Sequence, residues 1–532
     1  MLIMSRSKIH VYVDNRIATL RRPYDEAKLL PYWSYSNPVY SHMLRTKPWY
    51  RKCRECKEYP NTKKNPDRHD DDDHEYVAIW DGKKKFLIRD TLPAGLFWST
   101  YRDIEKKEHI RFKVKSKHTS PKTRSKKHWL LSEGKYLFQN DCAIEMYSHA
   151  IMGMGGLVLN ATGSGKTRTA AMIASMLDCE ILFVVDQLVL LKQAQSEIAK
   201  HLGEKIGYVG EAKFHLQRVT IATIQTLHLH RKDPKFLKWL RNVDVVIIDE
   251  LHEMLSHRNF DVINITRPLS TFGLTATLAL SRKPVRLKAY ALCGPVIYQY
   301  PVQTGMKEGV LSKGICIQLR YENILRDIDG WNQREAYDTR IVSNGERNHL
   351  ISSLVRRAVK KNKYVIVVVD RLKHIEEITS RLRISNVKYR VVAGTYKGKG
   401  ISVETRFKRK DDFEAGKVKV LVVNKVMKKG IDIKRVDLII NASCKPSAND
   451  AIQVFGRGVR LHKDKKGLIC IDIADKDPQN KSKNWLHKAA SKRLRAYNKA
   501  GITVRKIDSK DISSRIILKQ AEKWLLKEIK SK

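Results

Sequence analysis

Acidic residues are scarce. Asp and Glu number 56 against 103 Lys and Arg, which leaves a net charge of +47 over 532 residues. Solubility needs only a small excess of charge. An excess this large points to a polyanionic partner, and nucleic acid is the commonest. The cations run through the whole chain, which suits a long basic groove better than a disordered arm. Long apolar runs are also missing. Nothing approaches the roughly 20 residues of a membrane span, and the basic stretch 1–20 lacks the apolar core of a signal peptide. The expected setting is the cytoplasm of a bacterial or virus-infected cell, with no membrane partner and no secretion. The eight cysteines are scattered, mostly in apolar segments such as Gly467–Ile471, and read as buried reduced thiols. There is no internal repeat.

The length suits about three domains of roughly 150 residues each. The most informative stretch is Asn160-Ala161-Thr162-Gly163-Ser164-Gly165-Lys166-Thr167. An apolar run, Leu157–Leu159, precedes it, and Ala170, Ala171, Ile173, Ala174 and Leu177 follow at helical spacing. Strand, glycine loop and helix form the context of a P-loop. Its backbone N–H groups and the helix N-terminus suit phosphate. Lys166 would reach the β- and γ-phosphates of ATP, and Thr167 would ligate Mg²⁺. Downstream, the apolar strand Val243–Ile248 ends in Asp249-Glu250-Leu251-His252. Asp249 would hold Mg²⁺ through water and Glu250 would orient and deprotonate the attacking water. Further on, Gln453-Val-Phe-Gly456-Arg457-Gly-Val-Arg460 sets two guanidinium groups on one helical face, suited to a γ-phosphate in transit.

Strand and helix patterns alternate over 126–310 and again over 311–475. The expected fold class is therefore α/β with two parallel-sheet domains. Strands are expected at Ile181–Val185, Val219–Ala222, Val243–Ile248 and Phe272–Thr275. In the second block they are expected at Tyr364–Val369, Tyr389–Val392, Val418–Val423, Leu438–Ile440 and Leu468–Asp472. Residues 476–532 read as a basic helical extension, packed on the second domain or facing nucleic acid. Residues 1–125 read as a small α+β accessory module for substrate recognition. Lys8–Val13 alternates as a strand, Tyr76–Trp80 and Phe86–Ile88 flank an Asp81-Gly82 hairpin signal, and 111–128 reads as a charged linker. The spacing Cys53-x2-Cys56-x12-His69-x4-His74 fits a zinc site. A polar insertion with incidental Cys and His, or a ligand set including Asp70–Asp73, fits as well.

Taken together, these motifs resemble helicase superfamily 2 of the DExH type over about 130–475, with two RecA-like domains. The resemblance implies that Gln139 reads adenine and that Thr162, Gly163, Ser164, Gly165, Lys166 and Thr167 hold the phosphates. Val185–Gln193 and Thr223-Ile-Gln-Thr226 resemble motifs Ia and Ic, so Gln193, Thr223, Gln225 and Thr226 would contact a nucleic-acid backbone. His252, Thr275 and Thr277 would couple the nucleotide site to the nucleic-acid site. Lys429-Gly430-Ile-Asp432 resembles motif V and adds Gly430 and Asp432 to the nucleotide site. Gln453, Arg457 and Arg460 match motif VI, whose arginines act as fingers. Leu292–Tyr298 and Met306–Leu311, with Trp80–Gly82 and Leu92–Leu96, are similar to the branch holding XPB, RecG-like remodellers and the UvsW helicase of T-even phages. That branch implies 3′→5′ remodelling of forks, Holliday junctions and R-loops in replication, recombination and repair, and a phage origin.

Three functions remain open on the sequence. One is a DNA helicase acting on branched or single-stranded DNA without sequence preference. A second is a double-strand translocase or restriction-type motor subunit. A third is a nucleic-acid-binding or annealing protein with a switch-type ATPase, on DNA or RNA.

Overall fold

The computed structural model describes residues 8–36, 51–53, 76–78, 83–210, 213–323, 333–424, 433–444, 447–476, 485–510 and 513–530. Strands such as Ile181–Val185, Val245–Ile248 and Val420–Val423 are apolar at every position and buried on both faces. Only a parallel sheet covered by helices on both sides accommodates such strands. Two such sheets form the body of the protein, each RecA-like.

The first sheet has eight strands, in the order 213–215, 207–210, 219–223, 181–185, 245–248, 270–275, 156–160 and 296–300. All neighbours run parallel except the edge pair 207–210/213–215. The P-loop strand Gly156–Asn160 lies beside Ser270–Thr275, which lies beside Val245–Ile248. The carboxyl ends of three motif-bearing strands therefore converge, as ligand sites in open α/β sheets require. Gly155 makes this packing feasible, because a Cβ there would meet the Thr271 carbonyl oxygen at 2.1 Å.

The second sheet has seven parallel strands, in the order 390–392, 420–423, 365–368, 438–441, 468–476, 314–322 and 504–508. Two of these were not anticipated. Gly314–Glu322 is a nine-residue buried strand. Val504–Asp508 lies inside the segment read as purely helical, and it closes the sheet edge by pairing with Cys316–Arg320. The C-terminal helices are built into this domain. Arg493, 2 % exposed, donates from Nε to both Asp472 carboxylate oxygens at 3.0 Å. Ile517, Leu518, Ala521 and Leu525 join the core of the sheet. The charge count of the tail concealed these contacts, because long cationic side chains can cover an apolar face while their heads stay in water.

The N-terminal module has a four-stranded sheet, in the order 91–93, 17–21, 8–13 and 111–116. The stretch read as a linker holds the strand Arg111–Ser116, parallel to Lys8–Val13. Its alternation of Phe112 and Val114 with cations was outweighed by the charge. The expected hairpin is not seen among the described residues. Tyr76–Ala78 pairs with Arg51–Cys53, and Lys83–Lys85 pairs with Ser34–Ser36. Asp81 and Gly82 lie outside the described residues. The helix Ala94–Glu108 fastens the module to the first RecA-like domain. At Gly95 a Cβ would meet the Tyr290 carbonyl oxygen at 2.6 Å, and Leu287 and Ala291 enter the module's core.

Of the suggested zinc ligands, Cys56, His69 and His74 lie outside the described residues, and Cys53 is described only as the end of its strand. Gly430 and Asp432 lie outside them too. Cys142, Cys179, Cys293, Cys316, Cys444 and Cys470 are all buried and unbridged. No helix among the described residues is long and apolar enough to cross a membrane.

Candidate nucleotide cleft

The loop after Asn160 turns sharply at two glycines, Gly163 at φ +86° and Gly165 at φ +89°. Side chains rarely adopt that region. The helix Lys166–Met176 starts directly behind the loop, so its unpaired N–H groups face the same space. The hydroxyls of Thr162 and Ser164 are buried, and neither has a hydrogen-bond partner among the described residues. Two orphaned hydroxyls in a glycine-turned loop fit a phosphate ligand, because buried polar groups are otherwise almost always satisfied.

The loop opens into a cleft of about 400 Å³ shared by both domains. Thr162, Gly163, Gly165, Lys166, Thr167, Asp249 and Glu250 line it from the first domain, and Gln453, Arg457 and Arg460 from the second. Thr167 and Asp249 share this lining, which fits a Mg²⁺ ion held by one hydroxyl and, through water, one carboxylate. Glu250 sits at φ +47°, a strained conformation of the kind that collects at functional sites. Its Oε1 is 3.6 Å from Lys166 Nζ. Loss of hydration alone would raise the Glu250 carboxyl. Lys166 and Arg457 outweigh it and hold that carboxyl below its usual range. Burial, and then the charge of Glu250, push Asp249 up to about 6. Glu250 is thus held ionised, as a base for water must be.

His252 links three motifs. Thr275 Oγ1 donates to the Thr277 carbonyl at 3.0 Å, so it accepts from His252 Nδ1 at 2.9 Å. His252 Nε2 is then left to accept from Gln453 Nε2 at 2.8 Å, across the cleft. The tautomer follows from this network. The domains approach closely here. A Cβ on Gly456 would stand 2.9 Å from Thr162 Cβ, and a Cβ on Gly163 would stand 3.2 Å from the Arg460 side chain.

Two side chains stand elsewhere than expected. Gln139 is 2 % exposed and does not line the cleft. Its Oε1 accepts from the Ser132 hydroxyl at 2.7 Å, and its Nε2 donates to the Ser164 carbonyl at 2.8 Å. Burial leaves it supporting the phosphate loop, where adenine reading was expected. Gln193 lines the nucleotide cleft with Leu190, Ala194 and Glu197. Spacings of three, four and seven residues put them on one face of the helix Leu188–Leu202. Thr223 caps the helix Ile224–Leu229, accepting from the Thr226 N–H at 3.2 Å, and Gln225 is exposed.

Sequence reasoning missed several residues, Tyr136 and Lys465 among them. Tyr136 lines the cleft, three residues before Gln139. Lys465, half-buried, donates to the carbonyls of Gly458 and Arg460 at the end of the arginine helix. Burial pulls its amine down to about 7. No local pattern marks it out in a lysine-rich loop.

Comparison with known proteins agrees with this geometry. Residues 148–280 match the family described as Type III restriction enzyme, res subunit, and residues 346–462 match the helicase conserved C-terminal domain. The chain thus carries both domains of a superfamily 2 helicase, with Asp249-Glu250-Leu251-His252 standing where the first domain has its DExH motif. Within the superfamily it is similar to the DNA 3′-5′ helicase XPB of Kineococcus radiotolerans, 25 % identical over 376 residues, 68 % of this chain and 63 % of that protein. The chain thus spans less than two thirds of that relative's length. The structure of T4 UvsW aligns with 94 % of this chain and 99 % of its own at 17 % identity, with a TM-score of 0.40. The DNA-bound Type ISP restriction-modification enzyme LlaBIII aligns with 77 % of this chain and 33 % of its own at 14 % identity, with a TM-score of 0.52.

Proposed function

We propose that the protein is an ATP-driven DNA helicase or translocase that moves 3′→5′ and remodels branched DNA. The observation that carries this reading is His252, bonded at once to Thr275 in its own domain and to Gln453 across the cleft. A site that only held nucleotide would need no such link between domains.

The loop amides, Lys166 and the hydroxyls of Thr162 and Ser164 bind the phosphates. Thr167 and Asp249 hold Mg²⁺, which neutralises charge on the phosphate oxygens when bound. Glu250 orients the attacking water and takes its proton. Arg457 and Arg460 meet the developing charge from the other domain, so they are engaged only when the cleft is closed. Closing and reopening the two domains moves a strand that lies across both. Its contacts are to phosphate, so binding is independent of sequence and weakens with salt.

The XPB relative is a DNA 3′-5′ helicase, which supports DNA and this polarity. The restriction-type family match favours, as the second reading, a translocase that never separates strands. The deciding experiment measures ATPase rates without nucleic acid and with single-stranded DNA, duplex DNA, a four-way junction and single-stranded RNA at equal nucleotide concentration. Strongest stimulation by the junction is expected, with turnover lost in Lys166→Ala. Equal or absent stimulation by all of them would remove the motor reading. Strongest stimulation by plain duplex, without strand displacement, would establish the second.

A further inference from the structure

The N-terminal sheet has one buried and one open face. Ile9, Val11, Val13, Ala18, Leu20 and Phe112 point inward and form the module's core. Residues between them point outward, because side chains alternate along a strand. Five cations stand on that open face: Lys8, Arg21, Arg111, Lys113 and Lys115, with His10 among them. The register sets them in rows. Lys8 is opposite Arg111, and Lys113, His10 and Arg21 run across three strands.

Like charges placed directly opposite across strands are destabilising, so this arrangement opposes folding. Elsewhere the chain dilutes its charge with acids: Asp412 stands within 3.7 Å of Arg390 and Lys417, and Glu377 bonds Arg381. On the sheet face no ion pair to any of the five cations is present among the described residues, and the strands supply no outward-facing acid.

We infer that this face binds the phosphodiester backbone of a DNA duplex arm, away from the strand gripped by the two RecA-like domains. This rests on the proposal of a DNA motor and adds where its double-stranded substrate is held. Charge complementarity selects a polyanion. The geometry selects a duplex: the cations stand in rows across three strands, about 6.7 Å apart along a strand and about 4.8 Å between strands. Sites for single strands stack successive bases on aromatic side chains, and this face carries one aromatic, Tyr12, 43 % exposed.

The test uses the full chain with Arg111→Thr, Lys113→Thr and Lys115→Thr combined. Threonine suits an exposed strand position, and removing like-charge repulsion leaves the melting temperature unchanged or raised. Each phosphate contact contributes about 0.9 to the slope of log affinity against log salt. The triple variant is therefore expected to lower the slope for duplex DNA by about 2–3 and to weaken binding at low salt. ATPase stimulated by single-stranded DNA stays at the wild-type level. A second variant on the other strands, Lys8→Thr with Arg21→Thr, lowers the slope by about 2. An unchanged duplex slope in both variants overturns the inference, and so does a loss confined to RNA duplex or to single-stranded DNA. Because the slope is a binding measurement, it decides this point even if the ATPase proves uncoupled from nucleic acid.

Discussion

Gly456→Ala separates the role of the cleft from the stability of the domain that supplies half of it. Gly456 lies in the helix Ala448–Gly458. Apart from its own helix and chain neighbours, the three heavy atoms nearest an added Cβ all belong to Thr162 in the other domain, with Cβ at 2.9 Å and Oγ1 at 3.1 Å. Carbon atoms prefer about 3.5–4.0 Å, so closure would stop roughly 0.6–1.1 Å short. Thr162 Cβ is fixed to the phosphate loop and cannot swing aside as a long side chain would. A misplacement of about 1 Å in a catalytic constellation costs on the order of 10²-fold in rate. Within the helix the same change is favourable, because glycine in a helix interior costs about 0.5–1 kcal/mol relative to alanine. The two effects have opposite signs. Thermal melting should show an equal or slightly raised transition, while nucleic-acid-stimulated ATP turnover falls about a hundredfold and the KM for ATP changes much less. Turnover within threefold of wild type would mean that the working state does not bring Gly456 against Thr162, and the closed-cleft mechanism would be wrong.

Removing the guanidinium of either Arg457 or Arg460 should cost about 10³-fold in turnover if it acts as a finger; steady-state ATPase checks this, and losses of a few-fold for both would assign them to structure. Lys465→Met removes the donor that ties the carbonyls of Gly458 and Arg460. A cation at a helix C-terminus is worth up to about 2 kcal/mol, so kcat should fall by at most about 30-fold, with little change in KM and with partial recovery in Lys465→Arg. Arg493→Met leaves Asp472 buried beside Asn441 without its cation. Breaking a buried pair this way costs about 3–5 kcal/mol, which should appear as a lowered melting temperature. Asp472→Leu added to it should recover part of the loss.

Much of the nucleotide site was readable from the sequence because its chemistry is local. A phosphate loop needs its glycines, lysine and threonine within eight consecutive residues, and the acids must follow an apolar strand directly. The two sheets were readable for a similar reason, since doubly covered strands are apolar throughout. Charge hid what was missed. Arg111–Ser116 and Val504–Asp508 are strands whose cations equal or outnumber their apolar residues, and their place in a sheet depends on partners about a hundred or more residues away in sequence.

Local sequence thus determined which residues can hold phosphate and which segments are buried. Tertiary structure decided which of them meet. Gln139 lies near enough in sequence to serve the base, but packing against Ser132 and Ser164 turned it onto the loop. Gln453 stands 201 residues from His252, and their bond exists because two separately folded sheets face each other. The cationic face of the N-terminal sheet is likewise a product of register. Composition gives the number of cations, but strand pairing sets Lys8 against Arg111 and aligns Lys113, His10 and Arg21 in one row.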